Sequence, residues 1–260
     1  MQKQNALEIV IKKDRLIIIS CLVAAAVISW LYIIYLYRQM YPMNMDAFLF
    51  AMPMTAHWHF SDFLLLFLMW FIMMVAMMTA SVAPLILLFA MINRQKKQQQ
   101  APYVPAIYIF TGYYLIWAIF SLLATLLQWA LQQLNWLSPD MIITHKIIGG
   151  SILIFAGIFQ FTSLKHRCLN HCRNPIDFIH TKWKEGKMGA FKMGVQNGTY
   201  CLGCCWILMA VLFVAGIMNL LWIALIGIFV LLEKLIPNSN WISYTAGLAL
   251  CLYGLLVLIN

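Results

Sequence analysis

The sequence predicts an all-α membrane protein, a polytopic transmembrane helical bundle of about seven spans, with six as the alternative count. Of its 260 residues, 64% are hydrophobic and 10% are charged, and the mean hydropathy is +0.85. Soluble domains are roughly half apolar and a quarter charged, so this chain has too few charged groups to cover a water-soluble fold. Lipid is therefore the expected solvent for most of the chain.

Long apolar runs define the predicted spans, because a helix needs about 20 apolar residues to cross the hydrocarbon core. No Ala-x-Ala cleavage pattern follows the first run, so we expect a retained span rather than a signal peptide. The stretch 195–232 has 38 residues, about 57 Å as a helix, which predicts a tight hairpin at 216–219. The predicted spans are residues 16–37, 63–92, 103–134, 141–164, 195–215, 217–232 and 241–259.

The basic residues lie at the ends of these runs and predict the orientation. With the N-terminus inside, 15 of the 17 Lys and Arg residues fall on the cytoplasmic side, as the positive-inside rule requires. Topology thus explains the net charge of +9 better than nucleic-acid binding does, and the expected partner is the lipid bilayer of a cytoplasmic membrane, with no nucleic acid. The predicted organisation is one integral membrane domain, 1–260, with an outward Met/His-rich loop at 38–62, a cytoplasmic linker at 93–102 and a cytoplasmic Cys/His-containing loop at 165–194.

Five of the seven cysteines form two tight groups around the last of these loops. Cytosolic thiols stay reduced, so such groups indicate metal binding or redox chemistry rather than a disulfide framework. Thiolates and imidazoles suit Cu(I) and Zn(II), which makes copper the expected metal and zinc the alternative. Cysteine is also a common small residue of membrane helices, which accounts for Cys21 and Cys251. The candidate ligands are Cys168, Cys172, Cys201, Cys204 and Cys205, with His166 and His171.

Methionines form a second candidate set. In the second span they recur at helical spacing along one face, at Met69, Met73, Met74, Met77 and Met78. Uncharged thioethers are tolerated in hydrocarbon and bind Cu(I), although methionine also fills gaps between helices. The outward loop before this span adds a His-x-His pair, His57 and His59, among further methionines, and this pair is a candidate for metal capture.

A wider pattern of residues includes both the cysteine groups and the methionines of the second span. It consists of residues 69–70, 76–78, 81–84, 111–113, 117, 156–160, 165, 168–169, 172, 198–206, 216–219 and 233–234. This pattern resembles a family of bacterial predicted metal-binding integral membrane proteins, a domain-of-unknown-function family. The resemblance implies a membrane-embedded metal-binding role and no described reaction. One departure is Ala80, where the family's methionine motif has a proline, and the pair His57 and His59 falls outside the resemblance.

The leading hypothesis is a membrane protein that handles Cu(I), by transport, delivery or assembly of a copper site, with a metallochaperone or a membrane enzyme complex as partner. Binding is favoured over enzymatic activity, and no phosphate-loop or dinucleotide fingerprint supports ATP or NAD chemistry. One alternative is a thiol-disulfide oxidoreductase in which the vicinal pair Cys204 and Cys205, or Cys201 and Cys204 in a C-x-x-C spacing, exchanges electrons with Cys168 and Cys172. The C-x-x-C is expected at a helix start, where the helix dipole favours the thiolate. Another is an accessory or scaffold subunit of a larger membrane enzyme.

Overall fold

A computed structural model describes residues 2–40, 59–98, 103–138, 141–236 and 240–259, without the side chains of 2–14, 39–40 and 97–98. These ranges are helical throughout apart from short connections, and they contain an isolated β-bridge between Leu137 and Ile143 but no strand. The helices are α1 (Gln2–Met40), α2 (Phe60–Gln98), α3 (Ile107–Gln133), α4 (Lys146–Phe159), α5 (Ser163–Arg173), α6 (Pro175–Lys182), α7 (Gly186–Ala215), α8 (Leu220–Leu235) and α9 (Asn240–Ile259).

The predicted all-α membrane bundle is confirmed, and the count of about seven spans is approximate. Within the described ranges, five helices are long and apolar enough to cross a membrane, and α4 with α5 makes a sixth if this pair, bent by 63°, is one span. The run 217–232 contributes to α8, whose 16 residues reach about 24 Å, short of the ~30 Å hydrocarbon core. The five helices supply the spans Arg15–Arg38, Phe60–Lys96, Ile107–Gln133, Gly186–Ala215 and Asn240–Ile259.

The predicted hairpin between α7 and α8 is confirmed at residues 216–219. Gly216 has a φ of +97°, in the region that favours glycine, and α7 ends directly before it. The side chain of Asn219 then caps α8 by accepting hydrogen bonds from the backbone N–H groups of Leu221 and Trp222 at 3.2 and 3.5 Å. This turn brings α8 back alongside α7.

The segment 165–194 is helical, although its polar composition suggested a loop. The side chain of Thr162 caps α5 by accepting a hydrogen bond from the Lys165 N–H group, and Pro175 occupies the first turn of α6. Helix α7 then begins at Gly186, well before Cys201. The expectation that Cys201 and Cys204 lie at a helix start is therefore wrong, since both lie in the middle of this 30-residue helix.

Helix α7 packs closely on α3 and makes side-chain contacts with α2. A Cβ atom on Gly112 of α3 would overlap the α7 backbone at Phe191 and Val195, so α3 and α7 touch main chain to main chain. Helix α2 runs antiparallel to α7: Lys96 pairs with Glu185 at 3.2 Å near one end, and the Trp70 ring stacks on Phe213 near the other. The middle of α7 thus faces the middle of α2.

Candidate metal centre

The cysteines of α5 and α7 meet in the interior of the bundle. Cys201, Cys204 and Cys205 are buried and Cys172 is partly buried. The Cys172 side chain interacts with the side chains of Cys201 and Cys204, and the Cys205 side chain interacts with the same two residues. Two helices that are separate in sequence therefore contribute to one sulfur cluster.

A small cavity of about 10 Å³ opens beside two of these sulfur atoms. Cys172 and Cys201 line it, whereas Cys204 and Cys205 do not. A space of this size holds about one water molecule or one small ion. Its other walls come from α2, α3, α6, α7 and α8, at Ser81, Pro84, Leu85, Tyr113, Pro175, Asn197 and Lys234.

Cys201 has two strong polar contacts in this cavity. The Nζ atom of Lys234 donates a hydrogen bond to Cys201 Sγ at 3.0 Å, and the hydroxyl group of Tyr113 lies 2.9 Å from the same sulfur atom. Lys234 is only 8% exposed and Tyr113 only 1%. Because a buried ammonium group needs an anionic or strongly polar partner, this arrangement stabilises the thiolate form of Cys201.

The remaining α7 cysteines are turned toward their own helix. The thiols of Cys204 and Cys205 each donate a hydrogen bond to the backbone carbonyl oxygen of Cys201 at 3.0 Å. Accordingly, no group of three or more His, Cys, Asp or Glu side chains in the described ranges is spaced to hold a metal ion. The donor set at the cavity is therefore the sulfur pair Cys172 and Cys201.

Cys168 lies one helical turn before Cys172 and packs against α7 without lining the cavity. A Cβ atom on Gly203 would come within 2.9 Å of Cys168 Sγ, so the absence of a side chain at Gly203 lets α5 approach α7. Cys168 thus sets the distance between the two helices at the level of the sulfur cluster.

The candidate histidines pack on aromatic rings. His171 stacks on Tyr200 with ring centroids 4.4 Å apart, and His166 meets the edge of Tyr244 of α9 at 5.3 Å. His59 is exposed and precedes α2, where its backbone N–H donates to the Asp62 carboxylate at 2.9 Å. His57 lies outside the described residues.

The methionines of α2 form a buried stripe that approaches the sulfur cluster. Met77 packs against Gly227 of α8, and the antiparallel register of α2 and α7 puts the last two members level with Cys204 and Cys205. From there the stripe continues along α2 away from the cavity, toward the end of α7. All of its members are at most 4% exposed: Met69, Met73, Met74, Met77 and Met78.

A second buried polar network lies next to the cluster. Lys165 Nζ donates to Glu233 Oε1 at 2.6 Å and also to the amide oxygen of Gln160, while the Ser243 hydroxyl group donates to the same Glu233 oxygen at 2.5 Å. Arg173, adjacent to Cys172, donates from Nε to the Glu233 backbone oxygen at 2.8 Å. The network joins α5 to α8 and α9, and so fixes the helix that carries Cys172.

Three residues that line the cavity were not among the predicted site residues: Lys234, Tyr113 and Asn197. Lys234 and Tyr113 fall within the pieces that carry the family resemblance, but a basic residue at the end of an apolar run is most simply interpreted as a topology signal. A useful signal was the adjacent pair Glu233 and Lys234, because ionisable residues in apolar runs are costly and usually functional.

Comparison with known proteins bears on this geometry. The family model PpoB2, described as copper chaperone, matches residues 67–257, which is well over half of the chain and includes the sulfur cluster, the methionine stripe and Lys234. No curated protein and no solved structure matches the chain. The match supports a copper-related function, in agreement with the metal-binding role that the family resemblance implied. By the extent of this match, the chain belongs to the PpoB2 family of copper chaperones.

Proposed function

We propose that this membrane protein holds one Cu(I) ion between Cys172 and Cys201 and delivers it to a partner protein. The observation that carries the proposal is the cavity that these two cysteines line together with Lys234, whose ammonium group donates a hydrogen bond to Cys201 Sγ. Copper is cargo here, taken up from one partner and released to another. The interior position of the site protects the thiolates and the bound ion from water and oxidants.

The chemistry of the donor set supports Cu(I) over zinc. Soft thiolate ligands select Cu(I), and two of them suffice for this ion. Structural Zn(II) sites are almost always tetrahedral with four protein ligands, and the side chains described here provide no converging set of even three. Copper is therefore the proposed metal, and zinc binding is the less favoured outcome.

The methionine stripe supports a route to the site. Its thioethers are uncharged, so a Cu(I) ion can pass between them at low cost inside the bundle. With the N-terminus in the cytoplasm of a bacterial cell, the stripe leads from the outer half of the membrane, where His59 precedes α2, to the cysteine pair. Delivery then proceeds from the cavity to a metallochaperone or a membrane enzyme complex.

The contact between Cys172 and Cys201 also favours a second candidate, a thiol-disulfide oxidoreductase. Oxidation of this pair to a disulfide would release two electrons and two protons to an acceptor protein. Thiol trapping in cells under reducing and oxidising conditions separates the two functions, because only redox exchange requires an interconverting Cys172–Cys201 disulfide. A scaffold subunit would tolerate both cysteine substitutions and co-purify with its complex.

Anaerobic competition for Cu(I) against a chromophoric chelator tests the proposal on the purified full-length protein in detergent. We expect one Cu(I) per wild-type chain, and loss of that ion in Cys172→Ser and Cys201→Ser. Cys251→Ser is the matched control, because Cys251 lies in α9 with its thiol directed at the Ile154 carbonyl oxygen. Unchanged copper binding in the folded Cys172→Ser/Cys201→Ser double variant would contradict the proposal.

A further inference from the structure

We infer that Lys234 is the specificity-determining residue of this site, restricting it to monovalent soft cations by fixing the charge that the bound complex must carry. The inference rests on the proposed function, since it concerns the ion held by Cys172 and Cys201. It adds a selection rule between metals that the sulfur atoms alone do not impose, because thiolates bind both Cu(I) and Zn(II).

The charge of Lys234 is directed at sulfur. Its Nζ atom lies 3.0 Å from Cys201 Sγ, and the side chain is buried. The preceding residue, Glu233, has its carboxylate engaged by Lys165 at 2.6 Å and by Ser243 at 2.5 Å. The acidic side chains of Asp177 and Glu185 are exposed at the surface, and Asp62 lies in the first turn of α2, where its carboxylate accepts a hydrogen bond from the His59 N–H group. In the part of the chain that the structure describes, the partner of the Lys234 ammonium group is thus the cysteine cluster.

Net charge then distinguishes the possible occupants. Two thiolates and a monovalent cation carry a net charge of minus one, which the Lys234 ammonium group neutralises. Two thiolates and a divalent cation are already neutral, so the ammonium group would leave an uncompensated positive charge in a buried site. Burying a net charge in a low-dielectric interior is costly. A buried lysine at this position therefore favours the monovalent ion and disfavours the divalent one.

A third thiolate would remove this discrimination, because three thiolates and a divalent ion also carry minus one. Cys204 and Cys205 are the nearest sources of a third sulfur ligand, but their thiols are hydrogen-bonded to the Cys201 carbonyl oxygen and neither lines the cavity. The geometry thus combines a two-sulfur donor set with a single fixed positive charge. Both features point to the same ion class, Cu(I) or its probe Ag(I).

The test measures the affinities of purified protein for Cu(I), Ag(I) and Zn(II) in wild type and in variants of Lys234. In Lys234→Met we expect Cu(I) and Ag(I) affinity to fall at least about tenfold, the order expected for loss of a unit charge within a few ångströms in a partly dry interior. Zn(II) affinity should hold or rise, so the Ag(I)/Zn(II) affinity ratio falls. Lys234→Arg, which keeps the charge, should retain most of that ratio.

Control variants distinguish a failure of this inference from a failure of the proposed function. Lys192→Met removes one positive charge from an exposed position on α7 and should match wild type, while Lys234→Gln is a second neutral variant that keeps a polar group in the cavity. An unchanged Ag(I)/Zn(II) ratio in a folded neutral variant overturns the inference, as does wild-type protein that binds Zn(II) as tightly as Ag(I). Wild-type protein that binds neither Cu(I) nor Ag(I) refutes the proposed function instead.

Discussion

Two buried lysines, Lys165 and Lys234, have opposite surroundings. Lys165 is fully buried and is held by a carboxylate at 2.6 Å and by an amide oxygen. Lys234 is held by the sulfur atom of Cys201 at 3.0 Å, beside a cavity. The carboxylate that pairs with Lys165 belongs to Glu233, the residue directly before Lys234. Adjacent positions on one helix therefore serve two separate charge systems.

The pair Lys165 and Glu233 is a structural charge pair, whereas in the pair Lys234 and Cys201 the thiolate can bind something other than the lysine. A carboxylate and an ammonium group in a protein interior compensate each other, and removing either leaves an uncompensated buried charge. A thiolate can instead take up a proton or a soft metal ion. We therefore expect changes at the Lys165 pair to act on stability, and changes at Lys234 to act on the metal.

The largest expected effect on stability is that of Glu233→Gln. The substitution leaves the ammonium group of Lys165 buried without its counter-charge, which typically costs about 3–5 kcal/mol. Thermal unfolding in detergent measures the loss. The double variant Lys165→Met/Glu233→Leu should recover most of the stability, since apolar replacements of a buried pair are close to neutral. A Glu233→Gln protein as stable as wild type would remove the distinction between the two lysines.

Gly203→Ala tests geometry without changing either charge. Its Cβ atom would lie 2.9 Å from Cys168 Sγ, so this thiol must move and push on the surroundings of α5, at a cost of about 1–3 kcal/mol for overpacking. Because Cys172 moves with α5, we expect weaker Cu(I) binding by chelator competition. Gly227→Ala is the matched control, since its Cβ atom would meet Met77 at an ordinary 3.5 Å. Equal copper affinity in the two alanine variants would contradict the positioning role of this contact.

Lys234→Met should change the stability of the metal-free protein by no more than about 1.5 kcal/mol, the net value of one hydrogen bond. The reason is that the Cys201 thiolate can take up a proton once the ammonium group is gone, so no buried charge is left without a partner. The measurement is thermal unfolding of the metal-free Lys234→Met and Glu233→Gln proteins, which compares the two losses of stability directly. A loss as large as that of Glu233→Gln would show that Lys234 is structural as well.

Met73→Leu is expected to have the smallest effect. Leucine has nearly the same volume, so the stability loss should stay below about 1.5 kcal/mol. The equilibrium affinity for Cu(I) should also be unchanged, while loading of the site in proteoliposomes slows because one thioether of the stripe is lost. Met188→Leu, at an exposed position, is the control. Equal loading rates in both variants would exclude the stripe as a route.

Most of the fold could be predicted because lipid imposes simple constraints on length and composition. The stretch 195–232 was too long for one span, and a hairpin at Gly216 followed from that alone. The run 217–232 was harder, because its apolar composition met the criterion for a span although α8 has only 16 residues. Helices α5 and α6 were not predicted because their polar sequences resemble a loop. Packing of α5 against α7 and α8, and of α6 against α2, stabilises them as helices.

The candidate site could be predicted in its residue types but not in its geometry. The sulfur chemistry of Cys172 and Cys201 was visible in the sequence, whereas their selection from seven cysteines depends on which side chains reach the cavity. The role of Lys234 depends on a contact between residues 33 positions apart, which spacing alone cannot reveal. Burial of the methionine stripe fits both core packing and metal transfer, so its role stays a prediction.

X-ray absorption at the copper edge of the Cu(I)-loaded protein identifies the atoms that bind the ion. We expect two sulfur ligands and no nitrogen or oxygen ligand in the wild-type protein. This signal should be absent from Cys172→Ser and Cys201→Ser and intact in Cys251→Ser. A shell dominated by nitrogen or oxygen, or a sulfur shell that persists in the folded Cys172→Ser/Cys201→Ser double variant, would contradict this expectation.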